Sequence, residues 1–177
     1  MKLLIVSLNF LPDLTGIGKY SGDMAIWLAA NGHIVKVISA PPYYPTWKVG
    51  FGYSAYRYTK ESISGVEVLR SPLWVPRVPS GVKRLLHLAS FAFSTLPVLI
   101  TQWRWKPDIV WIVEPPLMCA PAVVAFASLR GAKSWLHIQD YEVDAAFDLG
   151  LIKGKALRRW VQGAERWLMR RFDRVST

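Results

Sequence analysis

The chain has 177 residues, one domain's worth of polypeptide, and is 52% hydrophobic and 19% charged. That balance excludes disorder over most of its length, and a single cysteine, Cys119, excludes an internal disulfide framework. Lys and Arg number 22 against 12 Asp and Glu, a formal charge of +10, which points to an anionic partner: a nucleic acid, an acidic membrane or a phosphorylated ligand.

The N-terminal run Leu3–Val6 is too short for a signal-peptide core, and Asn9, Pro12 and Asp13 follow it with no small-residue cleavage site. A cytosolic N-terminus is expected. Leu3–Leu8 reads as a strand buried on both faces. The turn-rich stretch Asn9–Gly18 reads as a loop. Tyr20, Met24, Trp27 and Leu28 recur at helical spacing, and Asn31-Gly32 stops that helix. Ile34–Ile38 is the second strand, completing a right-handed βαβ unit.

Pro41–Lys60, rich in Pro, Tyr and Gly, reads as a long functional loop. Val66–Leu69 is a third strand, and the proline-rich stretch from Pro72 to Pro79 is extended. Val82–Arg104 reads as a helix kinked at Pro97. Within it, residues 85–103 carry no formal charge, the length of a membrane span, but His87, four hydroxyl side chains, Gln102 and Pro97 interrupt the run. A helix that is buried, or that lies partly in a membrane interface, is the expectation. Ile109–Val113 is a fourth strand, Pro121–Leu129 a proline-started helix and Ser134–Ile138 a fifth strand. Leu157, Trp160, Val161, Ala164 and Leu168 mark an amphipathic helix. Its basic face is a solvated surface or a contact for anionic lipid or another domain.

Strands alternating with helices in this way build a Rossmann-like, doubly wound parallel sheet in an α/β domain. With the common order 3-2-1-4-5, a ligand sits at the reversal between strands one and four. Three loops meet there: Asn9–Gly18, Glu114–Leu117 and His137–Asp144. Gly16-Ile17-Gly18 at the start of a helix is either a phosphate-binding turn or a tight turn without a ligand. Ser21 stands where a dinucleotide fingerprint needs its third glycine, and Lys19 is followed by Tyr20 rather than the Ser or Thr of a P-loop. A nicotinamide oxidoreductase or a P-loop NTPase is therefore not expected. His137, followed by Asp140, Glu142 and Asp144, is a candidate general base or hydrogen-bond donor, or a structural histidine held by its loop. Glu114 either holds a sugar hydroxyl or caps its loop. His33, His87 and Cys119 read as structural. The three acidic residues after His137 read as solvated or capping residues rather than metal ligands. The basic residues lack an aromatic-interleaved recognition motif, so no nucleic acid partner is expected.

Phe10-Leu11-Pro12, Thr15–Tyr20, Leu28–Val37, Lys106–Val110, Glu114–Leu117, Trp135–Asp144 and Arg171–Val175 together resemble the N-terminal half of a GT-B glycosyltransferase of the retaining GT4 type. The resemblance covers essentially the whole chain and is closest to enzymes of bacterial exopolysaccharide, colanic acid-like, biosynthesis. It implies that residues 1–177 form the N-terminal, acceptor-side domain, with a donor-binding domain outside this chain. It implies a nucleotide-sugar donor, a lipid-linked saccharide acceptor, and transfer without a metal or other cofactor. It places Gly16, Ile17, Gly18, Lys19 and Tyr20 at the donor diphosphate and acceptor. His137 and Asp140 take the catalytic positions, and Glu114, Pro115, Tyr43 and Tyr44 are placed on the acceptor side. Ile17 departs from the family's paired glycines and narrows that loop. A lipid-linked acceptor also implies a cytoplasmic protein, peripheral on the inner face of the cytoplasmic membrane and in contact with anionic lipid. The alternative is a non-catalytic Rossmann-like module that binds a membrane surface or a protein partner.

Overall fold

The computed structural model describes residues 1–140 and 155–177. Its elements in chain order are β1 (Lys2–Val6), α1 (Gly16–Ala30), β2 (Ile34–Ser39), β3 (Thr59–Ile63), β4 (Val66–Arg70), α2 (Gly81–Thr101), β5 (Ile109–Glu114), α3 (Ala120–Arg130), β6 (Lys133–Ile138), α4 (Lys155–Met169) and β7 (Arg174–Ser176). The sheet order is β3-β4-β2-β1-β5-β6-β7. Every pairing is parallel except β3 with β4. The expected order of five strands thus stands as β4-β2-β1-β5-β6, with one strand added at each edge.

Strand alternation explains the two-layered core. Leu4 and Val6 of β1 enter a cluster with Phe91 and Leu99 of α2 and Phe126 of α3. Leu3 and Ile5 enter the opposite cluster with Ala25 of α1, Val37 of β2 and Val68 of β4. A strand whose odd and even residues are both apolar needs cover on both faces, so helices lie on both. Leu168 and Met169 of α4 pack on the α2–α3 side.

Two local readings are corrected. The Pro41–Lys60 loop ends early, because Thr59 and Lys60 begin β3. That strand carries a single hydrophobic residue, Ile63, and is largely exposed, so no periodicity marks it. Its signal is the turn: Ser64 (φ 48°) and Gly65 (φ 84°) form a two-residue connection pairing Ile63 with Val66, the geometry that hairpins prefer. Second, α1 starts at Gly16, so Gly16–Gly18 are its opening turn and not the end of a loop. The helix expected over Val82–Arg104 is present, with α2 running through Pro97 to Thr101 and a 3-10 turn over Gln102–Arg104. His87 and Cys119 are buried, as core residues should be; His87 Nδ1 lies 2.7 Å from the Trp74 carbonyl oxygen.

Asp173 sets the entry of β7. Its carboxylate accepts from the Ser134 backbone N–H (2.9 Å) and hydroxyl (3.0 Å) and pairs with Lys133 (2.8 Å). These contacts, the lysine first, hold its pKa down to about 2. A depressed carboxylate stabilises the fold above its ordinary titration range and loses that contribution as pH falls through the folded value. The Asp173→Asn variant is therefore expected to be less stable at pH 7 by about 1 kcal/mol, a value limited by solvent screening at an exposed side chain. Thermal melts at pH 7, 4 and 2.5 should show the gap between wild type and variant closing toward the lowest pH.

Candidate functional site

The chain leaves β1 toward β2 and reaches β5 on the other side, so the crevice beyond the carboxyl ends of β1 and β5 is the reversal point of the sheet. The segments after β1 and β5 lead to it, and after β6 the Gln139 N–H donates to the Glu114 carbonyl (3.2 Å) beside it. Thr15 caps α1 in an extended conformation with no side-chain cap hydrogen bond, and the first turn has no acidic residue. The backbone N–H groups of that turn, at the positive end of the helix dipole, are left for an anion or solvent. Gly16 has φ +51°, and a Cβ there would meet nothing within 4 Å; its glycine serves backbone conformation at an open edge.

Gly18 and Gly22 have a different reason. A Cβ on Gly18 would stand 2.8 Å from the Asp13 carbonyl oxygen, and one on Gly22 would stand 2.4 Å from Leu11 Cγ. The segment 9–15 folds down against the first turns of α1, and these two positions let it do so. Asp13 is buried (8% exposed). Burial raises its carboxyl pKa, opposed by Asn9, by the Arg70 charge and by the backbone of Tyr43 and Tyr44.

Arg70, at the carboxyl end of β4, fastens this corner. It is 1% exposed. Its Nε donates to Glu61 Oε1 (2.6 Å), Nη1 to the Ala40 carbonyl (2.9 Å) and Nη2 to the Leu11 carbonyl. The guanidinium also lies 5.4 Å from the Tyr53 ring centroid. One cation thus joins the β3–β4 hairpin, the ends of β1 and β2 and the 41–58 loop. The sequence reading missed Arg70. Its only signal is an arginine placed directly after an apolar parallel strand, a position that a solvated residue also occupies.

The candidate residues are distributed as follows. Lys19 is exposed and pairs with Asp23 (3.0 Å), which raises its pKa. Ile17 packs against the α1-side core. Tyr43 is buried beside Trp47 and His87, with ring centroids at 5.6 and 4.7 Å, and burial pushes its phenol pKa well up. Tyr44 is exposed. Glu114 is fully buried, and cis peptide bonds join Glu114 to Pro115 and Pro115 to Pro116. Asp140 is exposed just beyond β6. Glu142 and Asp144 lie outside the described residues.

His137 sits one residue before the end of β6, paired across to Val113 and Ser176. Its Nδ1 is 3.0 Å from the Ser176 hydroxyl, which also accepts from Trp135 Nε1 (2.9 Å). The hydroxyl oxygen accepts the indole N–H and shares a second hydrogen bond with Nδ1. Burial lowers the His137 pKa against the opposing pull of a hydrogen bond to the Ser176 backbone, which favours the neutral ring. The ring lines a groove of about 800 Å³ between α1 and the β5–β6 face, together with Tyr20, Met24, Trp27, Trp111 and Trp135. Of the candidates, the structure thus brings Tyr20 and His137 together. A second cleft of about 620 Å³ is lined by Trp47, Lys48, Tyr53, Tyr56, Trp74 and Arg77. The aromatic side chains of both hollows escaped the sequence reading because they come from segments distant in the chain. Among the described residues, no cluster of His, Cys, Asp or Glu is arranged to hold a metal ion.

A mostly parallel seven-stranded sheet with helices on both faces and an open helix N-terminus at its reversal point is the architecture of GT-B glycosyltransferases. The likeness to sucrose-phosphate synthase from Thermosynechococcus elongatus shows this fold, with a TM-score of 0.58 at 13% identity over 99% of this chain and 41% of that one. The chain belongs to the glycosyl transferase 4-like domain family, whose profile matches residues 15–177. It is 52% identical over 180 residues to WcaI of Escherichia coli (strain K12), named for colanic acid biosynthesis glycosyl transfer, covering 100% of this chain and 44% of that one. It is 28% identical over 188 residues to the glycogen synthase of Mycobacterium tuberculosis (strain H37Rv), covering 100% of this chain and 42% of that one. The chain spans less than half the length of these curated relatives.

Two substitutions test the corner. Arg70→Ala leaves Glu61 and two carbonyls without their cation and is expected to cost about 3 kcal/mol or more, because breaking a buried pair strands its partners. Urea unfolding followed by tryptophan fluorescence reads this. Gly18→Ala would gain helix propensity in an open helix. Against the Asp13 carbonyl, it is expected instead to lower stability by about 1–3 kcal/mol through overpacking.

Proposed function

We propose that this chain is the N-terminal, acceptor-side domain of a retaining GT4-type glycosyltransferase, which moves a sugar from a nucleotide diphosphate donor to a lipid-linked saccharide in exopolysaccharide biosynthesis. The observation that carries this reading is the uncapped first turn of α1, opened by Gly16 at the reversal point of the sheet. Fixed N–H donors there stabilise negative charge as it develops on a leaving diphosphate. The similarity to WcaI supports the exopolysaccharide setting. The donor-binding domain belongs to the part of the protein outside this chain.

In this mechanism the acceptor oxygen bonds to the anomeric carbon on the face from which the diphosphate departs. The acceptor proton passes to the departing phosphate oxygen, and no metal or other cofactor is used. His137, as a neutral ring, donates to a hydroxyl of the transferred sugar, with Asp140 beyond it at the edge of the crevice. Tyr44 and Pro115 contact the acceptor, and Glu114 and Tyr43 hold the walls behind them. A lipid-linked acceptor places the enzyme on the inner face of the cytoplasmic membrane.

Purified intact protein, given nucleotide sugars and lipid-linked acceptor, is expected to form product with retained anomeric configuration, read by NMR. His137→Ala is expected to lower kcat by about 100-fold, within the range for loss of one such donor, with an unchanged circular dichroism spectrum. Wild-type turnover in that variant overturns the His137 role, and failure of the wild type to transfer any sugar overturns the enzyme reading.

A further inference from the structure

α2 is apolar on both sides, and only one side is covered. His87, Phe91, Thr95 and Leu99 face inward and are buried. On the opposite side Val82, Leu86, Phe93, Leu96 and Ile100, with Trp103 in the turn just beyond the helix, are all exposed, between 37% and 73%. Their spacing (82, 86, 93, 96, 100, 103) follows one helix face for about 30 Å. No charged side chain lies on α2 between Arg84 and the end of the helix. A solvated helix carries polar residues on this face; an unbroken apolar face is made to be covered.

Charge identifies what covers it. From Val68 to Pro107 the chain has no acidic residue, while Arg77, Lys83, Arg84, Arg104 and Lys106 are exposed around the two ends of the stripe. Aromatic side chains sit at its margins: Trp103 stacks under Arg130 (4.6 Å), and the Tyr58 hydroxyl donates to the Ser94 carbonyl (3.1 Å). An apolar stripe with cations at its ends and amphipathic aromatics at its edges is the pattern of a helix lying in the headgroup region of an anionic bilayer. We infer that the outward face of α2 is the surface by which this protein lies on an anionic lipid membrane. This inference rests on the lipid-linked acceptor reading and gives it a face. Arg84 lies 5.6 Å from the Trp47 ring centroid, and Trp47 also lines the second cleft. A protein resting on α2 therefore opens that cleft at the level of the lipid headgroups.

The test is co-sedimentation of the intact protein with vesicles of phosphatidylcholine alone or with 30% phosphatidylglycerol (about the anionic share of a charged leaflet). Binding is expected only to the anionic vesicles. Phe93→Asp/Ile100→Asp, which alters only exposed positions, is expected to weaken it about tenfold or more, because apolar insertion is lost. Lys83→Glu/Arg84→Glu should weaken it and flatten its salt dependence, because fewer cation–headgroup contacts are left for salt to screen. Equal binding to both vesicle types, or unchanged binding by Phe93→Asp/Ile100→Asp, overturns the proposal. So does a wild-type dimer in light scattering that the same variant dissociates, which would make a second copy the cover. Transfer to a water-soluble acceptor analogue should survive Phe93→Asp/Ile100→Asp, so loss of docking is read separately from loss of glycosyl transfer.

Discussion

Burial of β1 on both faces and both edges is the constraint from which the rest of the structure follows. With parallel neighbours on each side, β1 has no free backbone edge, and its alternate residues feed two separate cores. The chain can leave it only at the carboxyl end, and right-handed crossovers then send α1 to one face and α2 and α3 to the other. The crevice between the departing segments is a by-product of that routing. Nothing in it must pack, so polar groups and open helix ends can stand there without weakening the core.

Holding that crevice in shape falls to contacts that are poor in apolar area and rich in geometry. The 9–15 segment lies against α1 because two positions lack a Cβ, and it is held there by a buried carboxylate and a buried guanidinium. Of the two glycines read in the sequence as a phosphate-binding or simply tight turn, Gly16 faces open space while Gly18 makes room for the Asp13 backbone; Gly22, outside that reading, makes room for Leu11. An open Gly16 and a tightly packed Gly18 are compatible, and the packing at Gly18 fixes the direction in which the start of α1 points.

How much was legible follows the same division. The five central strands and their order were readable because each is a short apolar run bounded by turn formers, and because parallel sheets leave few routes for the chain. β3 was not readable: Thr59-Lys60-Glu61-Ser62-Ile63 lies at an edge, where hydrogen bonding to β4 and not burial makes the strand. At the site, the sequence marked Gly16–Tyr20, Glu114 and His137 by their places at strand and helix ends, and the structure puts Tyr20 and His137 on one groove while Tyr43 and Glu114 are buried. Arg70, Trp111 and Trp135 were not readable, because their meaning depends on neighbours more than ten residues away. His137 shows the limit within a motif. Its position near the end of a strand was evident, but its hydrogen bond to Ser176 needs β7 beside β6.

α2 serves the core with one face and leaves the other at the surface. Its inner face completes the core under β1 and β5, so the helix cannot leave the domain to span a bilayer without exposing Phe91 and Leu99 and the strands beneath them. The same burial that keeps it in the protein leaves its outer apolar face at the surface along its full length. A helix fixed in this way can lie against a membrane but cannot cross it. Composition alone allows both arrangements. The rigid sheet behind α2 then fixes the position of the crevice relative to that outer face.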